Sequence, residues 1–159
     1  MKLWKTVLAA AALALATATS AFAARTDLVI GIPLEPPHLD PTAGAAAAID
    51  EVLYANVFEG LTRIGPNGEV LPDLAESWSI SDDGKTYTFK LHTGVKFHDG
   101  ADFSADDVKF SLDRARADNS VNAQKGLFAA IDKVDVVDPA TVKVTLKNPQ
   151  GSFLYNMRW

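Results

Sequence analysis

The sequence predicts an α/β domain, and three observations carry that prediction. Glu76 to Leu91 holds two strands about a Ser81-Asp82-Asp83-Gly84-Lys85 turn, where Asp-Gly supplies the positive φ that tight hairpins need. Ser104 opens a helix with acids in its first turn and apolar residues at helical spacing. Val134 to Leu146 reads as a second hairpin about Pro139-Ala140, its return strand alternating strictly. The 48% apolar and 22% charged fractions suit a folded chain of 159 residues, a length that one domain can fill.

Taken in order, the chain begins with an export signal. Lys2 and Lys5 precede an apolar run from Val7 to Ala16, and Ala21-Phe22-Ala23 supplies the small residues a signal peptidase reads. The run is too short to span a bilayer. Cleavage is expected after Ala23, leaving 13 positive against 20 negative residues, or −7. Leu28-Val29-Ile30-Gly31-Ile32 then reads as a buried strand. Pro33, Pro36, Pro37 and Pro41 hold the following segment in an extended loop, because each lacks a backbone donor and restricts its predecessor. A helix is expected from near Gly44, with Ile49, Val52, Leu53, Asn56 and Val57 on its spacing and Gly60 as its stop.

The β-rich part starts with a short strand from Leu61 to Ile64 and a Gly65-Pro66-Asn67-Gly68 turn. In the first hairpin Trp78 and Ile80 share one face; Tyr87, Phe89 and Leu91 form the buried face of the return strand. Val95 and Phe97 continue the alternation after Thr93-Gly94. In the helix Val108, Leu112 and Ala115 point inward, while Lys109, Asp113, Arg114 and Arg116 face solvent. Leu127, Phe128 and Ile131 suggest one helical turn, and Phe153 to Tyr155 begins a last apolar helix or turn. The pattern breaks off at Trp159, which reads as a truncated sequence.

Several chemistries are excluded or unsupported. Lys+Arg 15 against Asp+Glu 20 gives −5, without the basic clustering of a nucleic-acid binder. The absence of cysteine rules out disulfides and thiolate chemistry. His92 and His98 lack a third ligand at a metal-binding spacing, and Asp102, Asp106 and Asp107 lack the glycine and glutamate of a calcium loop. No nucleophile elbow, P-loop, dinucleotide fingerprint or zinc-protease motif occurs, so no cofactor and no catalytic residue is assigned. The residues alone describe an exported α/β protein of the binding type.

The stretch LAESWSISDDGKTYTFKLHTGVKFHDGADFSADDVKFSLDRA resembles the signature region of the family 5 extracellular solute-binding proteins, receptors of ATP-binding cassette importers for peptides, nickel and related solutes. Leu39-Asp40-Pro41, Val57-Phe58-Glu59-Gly60-Leu61, Leu71-Pro72-Asp73-Leu74-Ala75, Val134-Asp135 and Thr141 to Leu146 resemble family landmarks in the same order. The resemblance implies a type II periplasmic-binding-protein-like fold with an accessory domain, of which only the N-terminal part is present. Residues 1–23 would be the signal, 24–60 the start of lobe I, and 61–159 the accessory domain, cut at Trp159. It also implies a periplasmic protein, monomeric, which captures a small solute or peptide and delivers it to an inner-membrane permease. Di- or oligopeptides come first among ligands; nickel chelates, sugars or opines, or an exported enzyme or chaperone on the same fold, remain alternatives. By position, the ligand-lining residues would be Thr42, Gly44, Ala45 and Ala47 after the Leu-Asp-Pro landmark, with Val121 and Asn122 as a second wall. Alanines where relatives carry acidic or large groups put a charged anchor from that segment in doubt and suggest a roomier, more apolar wall.

Overall fold

The computed structural model describes residues 27–44, 46–54 and 56–158. The expected signal over residues 1–23 and the expected lining residue Ala45 lie outside them. The chain divides into two units, residues 1–32 and residues 33–159. In the first, the buried strand expected over Leu28–Ile32 does not form: Leu28, Val29 and Ile30 are 81%, 87% and 71% exposed, with no strand assigned. A strand exists by pairing its backbone with a neighbour, and no described strand pairs with this run.

The second unit is built on a four-stranded antiparallel sheet. Its strands are β3 (Ala75–Ile80), β4 (Thr86–Leu91), β5 (Ile131–Asp138) and β6 (Thr141–Leu146), in the order β3-β4-β6-β5. The two hairpins pack edge to edge: β4 and β6 meet with Tyr87 opposite Val144 and Phe89 opposite Val142, while Val134 lies opposite Val144 on β5. That register collects Tyr87, Phe89, Leu91, Val134, Val142, Val144 and Leu146 on one buried face. The turn between β3 and β4 is held by Asp83, whose carboxylate accepts from the Ser81 hydroxyl at 2.6 Å and the Lys85 amide at 3.1 Å. Gly84 takes φ +67°, as the Asp-Gly signal requires.

A twelve-residue helix covers this face. We call it α2 (Ala105–Arg116); α1 is the earlier Ala47–Leu53 and α3 the later Phe153–Asn156. Ser104 and Asp107 form a capping box at the start of α2, in which the Asp107 carboxylate accepts from the Ser104 amide at 2.8 Å and its hydroxyl at 3.0 Å. Val108, Leu112 and Ala115 recur at i, i+4 and i+7 and are buried in the same cluster as the sheet. At the other end, Arg116 donates to Asp113 at 2.8 Å and to the Asp132 carbonyl at 3.0 Å, tying the helix to the start of β5. The Phe153 ring closes the core, 4.6 Å from that of Tyr87 and 6.4 Å from that of Phe89. Burying a phenyl side chain such as Phe89 contributes about 2–3 kcal/mol through apolar area alone.

Three expectations need correction here. The helix expected between Gly44 and Gly60 occupies only Ala47–Leu53; Ala46 offers no capping side chain, and Tyr54 turns extended at ψ 135°. Val57 and Phe58 therefore fall outside it and are exposed. No strand continues through Val95 and Phe97; a lone bridge joins Lys96 to Asp102. The helical turn at Leu127 and Phe128 is a 3-10 turn over Lys125–Phe128, and Ile131 starts β5 instead.

A two-stranded ribbon, β1 (Thr62–Ile64) with β2 (Val70–Pro72), leads into the sheet. Its start is bonded to the last helix: Leu61 donates its amide to the Met157 carbonyl at 2.9 Å, and the Thr62 hydroxyl donates to the Leu154 carbonyl at 2.7 Å. Gly60 is needed at this seam, because a Cβ there would lie 2.7 Å from the Arg158 backbone. Among the described residues, no helix is long and apolar enough to cross a membrane.

Candidate functional site

Two loops approach each other beside the C-terminal half of α2. The first is the proline-stiffened segment before α1. Asp40 organises it: one carboxylate oxygen accepts from both the Thr42 amide, at 2.9 Å, and the Thr42 hydroxyl, at 2.7 Å. These two bonds hold the Asp40 carboxyl below the usual carboxylate range, with smaller help from the charges of His38 and Arg114. Thr42 is thus fixed in place by its own loop.

The second loop follows α2. The Asn122 amide donates to the Ser120 hydroxyl at 3.2 Å, and the Asn122 side-chain oxygen accepts from the Gln124 amide at 2.8 Å. That last bond lies just ahead of the 3-10 turn over Lys125–Phe128. The Asn122 side-chain oxygen is engaged, while its amide nitrogen has no hydrogen-bond partner among the described residues.

Between the loops lies a cavity of about 270 Å³, with Thr42 on one side and Asn119, Ser120, Val121 and Asn122 on the other. The floor is the last turns of α2, through the exposed Ser111 and Arg114 and the edge of the buried Ala115. Thr42, Val121 and Asn122 are the residues expected from the sequence that line this cavity. Gly44 and Ala47 do not. Gly44 packs instead beside His38 and Ile49, each of which a Cβ would approach to 2.7 Å, and Ala47 is an exposed first residue of α1. Arg114, which the helical pattern assigns simply to solvent, lines the cavity as well; periodicity shows which way a helix faces but not which loop arrives beside it.

A larger cavity, of about 360 Å³, lies at the other end of α2. Its walls are mostly apolar and come from separate segments, among them Val57, Leu74, Val95, Phe103 and Val108. Two of its polar members are already engaged, Asp107 in the capping box and Lys96 with Asp102. Sequence patterning has no signal for a space enclosed by loops so far apart in the chain.

The carboxyls pushed upward, Asp50 by burial and Asp73 by burial and then the charge of Glu59, line neither cavity. Among the described residues, no three His, Asp or Glu side chains gather as a metal site. The smaller cavity offers hydrogen-bond donors, small apolar side chains and a single cation, which is the equipment of a binding wall.

Comparison with known proteins agrees in kind. Residues 69–158 match the profile described as bacterial extracellular solute-binding proteins, family 5 middle. The glutathione-binding protein GsiB of Salmonella typhimurium is 41% identical over 146 residues, covering 91% of this chain and 28% of that protein. NikZ of Campylobacter jejuni, solved with Ni(L-His), superposes with a TM-score of 0.70 at 37% identity, over 79% of this chain and 25% of its own. The oligopeptide-binding protein AppA of Bacillus subtilis, solved with a nonapeptide, gives 0.72 at 27% identity, over 78% and 25% respectively. The chain therefore spans little more than a quarter of the relatives it matches.

Proposed function

This chain belongs to the bacterial extracellular solute-binding proteins of family 5, and from that premise we propose that it is part of the receptor of an ATP-binding cassette importer, with di- or oligopeptides as ligand. The observation that carries the reading is the profile match over residues 69–158. The peptide assignment draws on the relatives: GsiB is named for glutathione and AppA holds a nonapeptide. NikZ, with its nickel–histidine complex and higher identity than AppA, supports a second reading in which the ligand is a metal chelate.

In this proposal residues 1–23 are a cleaved signal that sends the protein to the periplasm, residues 24–60 begin the first lobe, and residues 61–159 form the accessory domain. Thr42, Val121 and Asn122, which line the smaller cavity, are the core of the ligand wall contributed by this part of the chain, and Gly44 and Ala47, with Ala45 between them in sequence, extend it outside that cavity. A second lobe closes on the ligand, and closure traps it because the closed state makes contacts the open one lacks. The protein acts as a monomer, hands its solute to an inner-membrane permease, binds no nucleic acid and catalyses nothing. Because the chain covers 28% of GsiB, residues 24–159 alone bind weakly or not at all.

Calorimetry on the full-length protein with a set of short peptides tests this. The expected result is saturable binding without turnover. Formation of a product, or binding confined to nickel–histidine complexes, would overturn the peptide reading.

A further inference from the structure

We infer that Arg114 is the anchor for an anionic group of the ligand, a carboxylate, at the cavity between the Thr42 loop and the Val121–Asn122 loop. This rests on the binding reading proposed above and gives that site its chemistry. Three observations carry it. First, Arg114 is an exposed cation in the cavity wall, and among the described residues its guanidinium has no hydrogen-bond or ion-pair partner. Its neighbours on α2 differ: Lys109 and Arg116 both engage Asp113. Second, the lining holds no Asp or Glu, so nothing within the wall neutralises Arg114. Third, the polar groups beside it are suited to donate. The Asn122 side-chain nitrogen has no partner among the described residues, and Ser111 brings a hydroxyl from the same helix face.

The field at the site favours the same conclusion once its terms are weighed. Arg114 sits in the last turn of α2, where the helix presents a partial negative charge of about half a unit, screened within a turn. A full guanidinium charge outweighs it. Asp40 feels the Arg114 charge, but only as the weakest of the influences on its carboxyl, after the two Thr42 bonds. A guanidinium also meets a carboxylate with two parallel N–H donors, a geometry a lone ammonium does not offer. A peptide's C-terminal carboxylate meets this requirement, and so does a dicarboxylic acid.

The test is calorimetry on the full-length protein with trialanine, trialanine amide and succinate, using wild type, Arg114→Met and Arg114→Lys. Wild type should bind trialanine at least about tenfold more tightly than its amide, the size of one charge-assisted pair. Arg114→Met should erase that preference and Arg114→Lys should keep part of it, both with unchanged melting. If no peptide binds but succinate does, and Arg114→Met abolishes it, the anchor stands and the peptide reading falls. Should acid and amide bind wild type equally, or the preference survive in Arg114→Met, the anchor is wrong while the peptide reading holds. Should Arg114→Met lower melting and leave the preference intact, Arg114 is instead a structural partner of Asp40. Absence of binding by all three compounds would overturn both.

Discussion

Residues 28–32 and residues 141–146 are both short apolar runs rich in β-branched side chains, yet they end in opposite surroundings. Val142 and Val144 are fully buried, in a strand bonded on both sides to β4 and β5. Leu28, Val29 and Ile30 are among the most exposed large apolar residues of the chain and belong to no strand. Composition is therefore not what separates them. A strand is a relation between two backbones, and burial follows once the partner and a covering layer are there. For β6 the sequence brings its own partner, since β5 lies two residues upstream across Pro139-Ala140.

The largest effect that could break this comparison is in the sheet. Phe89→Ala removes a fully buried ring from beneath α2 and should cost about 3–5 kcal/mol in urea unfolding. A loss near zero would mean that the packed face is not what holds the unit together. A smaller effect sharpens the comparison through pH. Burial alone would raise the Asp113 carboxyl, but the bonds from Lys109 and Arg116 outweigh it and hold the group below its ordinary value of 3.8. Stability from a depressed acid is present above the unfolded value and is lost as pH falls through the folded one. Asp113→Asn should thus melt below wild type at neutral pH by an amount on the order of 1 kcal/mol or less, since the pair is partly exposed. Thermal melts should converge below pH 3.8; a gap that widens in acid would contradict this assignment. The smallest effect belongs to the leading run, where Ile30→Ser should change the unfolding free energy by no more than about 0.5 kcal/mol. A loss like that of Phe89→Ala would show that the two runs are not so different.

The same contrast explains what could be read in advance. The hairpin at Asp83-Gly84, the alternation of Tyr87, Phe89 and Leu91, and the helix opened by Ser104 are visible because each signal lies within a few residues of the structure it specifies. The helix limits at Ala47 and Leu53 are not, since no side chain caps the first turn and nothing local announces the extended turn at Tyr54. The early start of β5 at Ile131 is hidden by a register shift between Ile131 and Lys133, which breaks the alternation. In the smaller cavity, Thr42, Val121 and Asn122 come together from segments far apart in the chain, a proximity that no periodicity announces. Arg114 looked like one more solvated charge, because its meaning depends on a loop some seventy residues earlier arriving beside the helix.

The seam between Leu61 and Met157 has a consequence of its own. The residues just before β1 and those of the last helix are hydrogen-bonded to each other, so the two flanks of the β1 to β6 stretch lie side by side, like the halves of a clasp. A piece of structure attached in this way can be spliced into a host loop without prying the host open. Gly60 keeps that clasp thin enough to shut: any side chain there would wedge against Arg158.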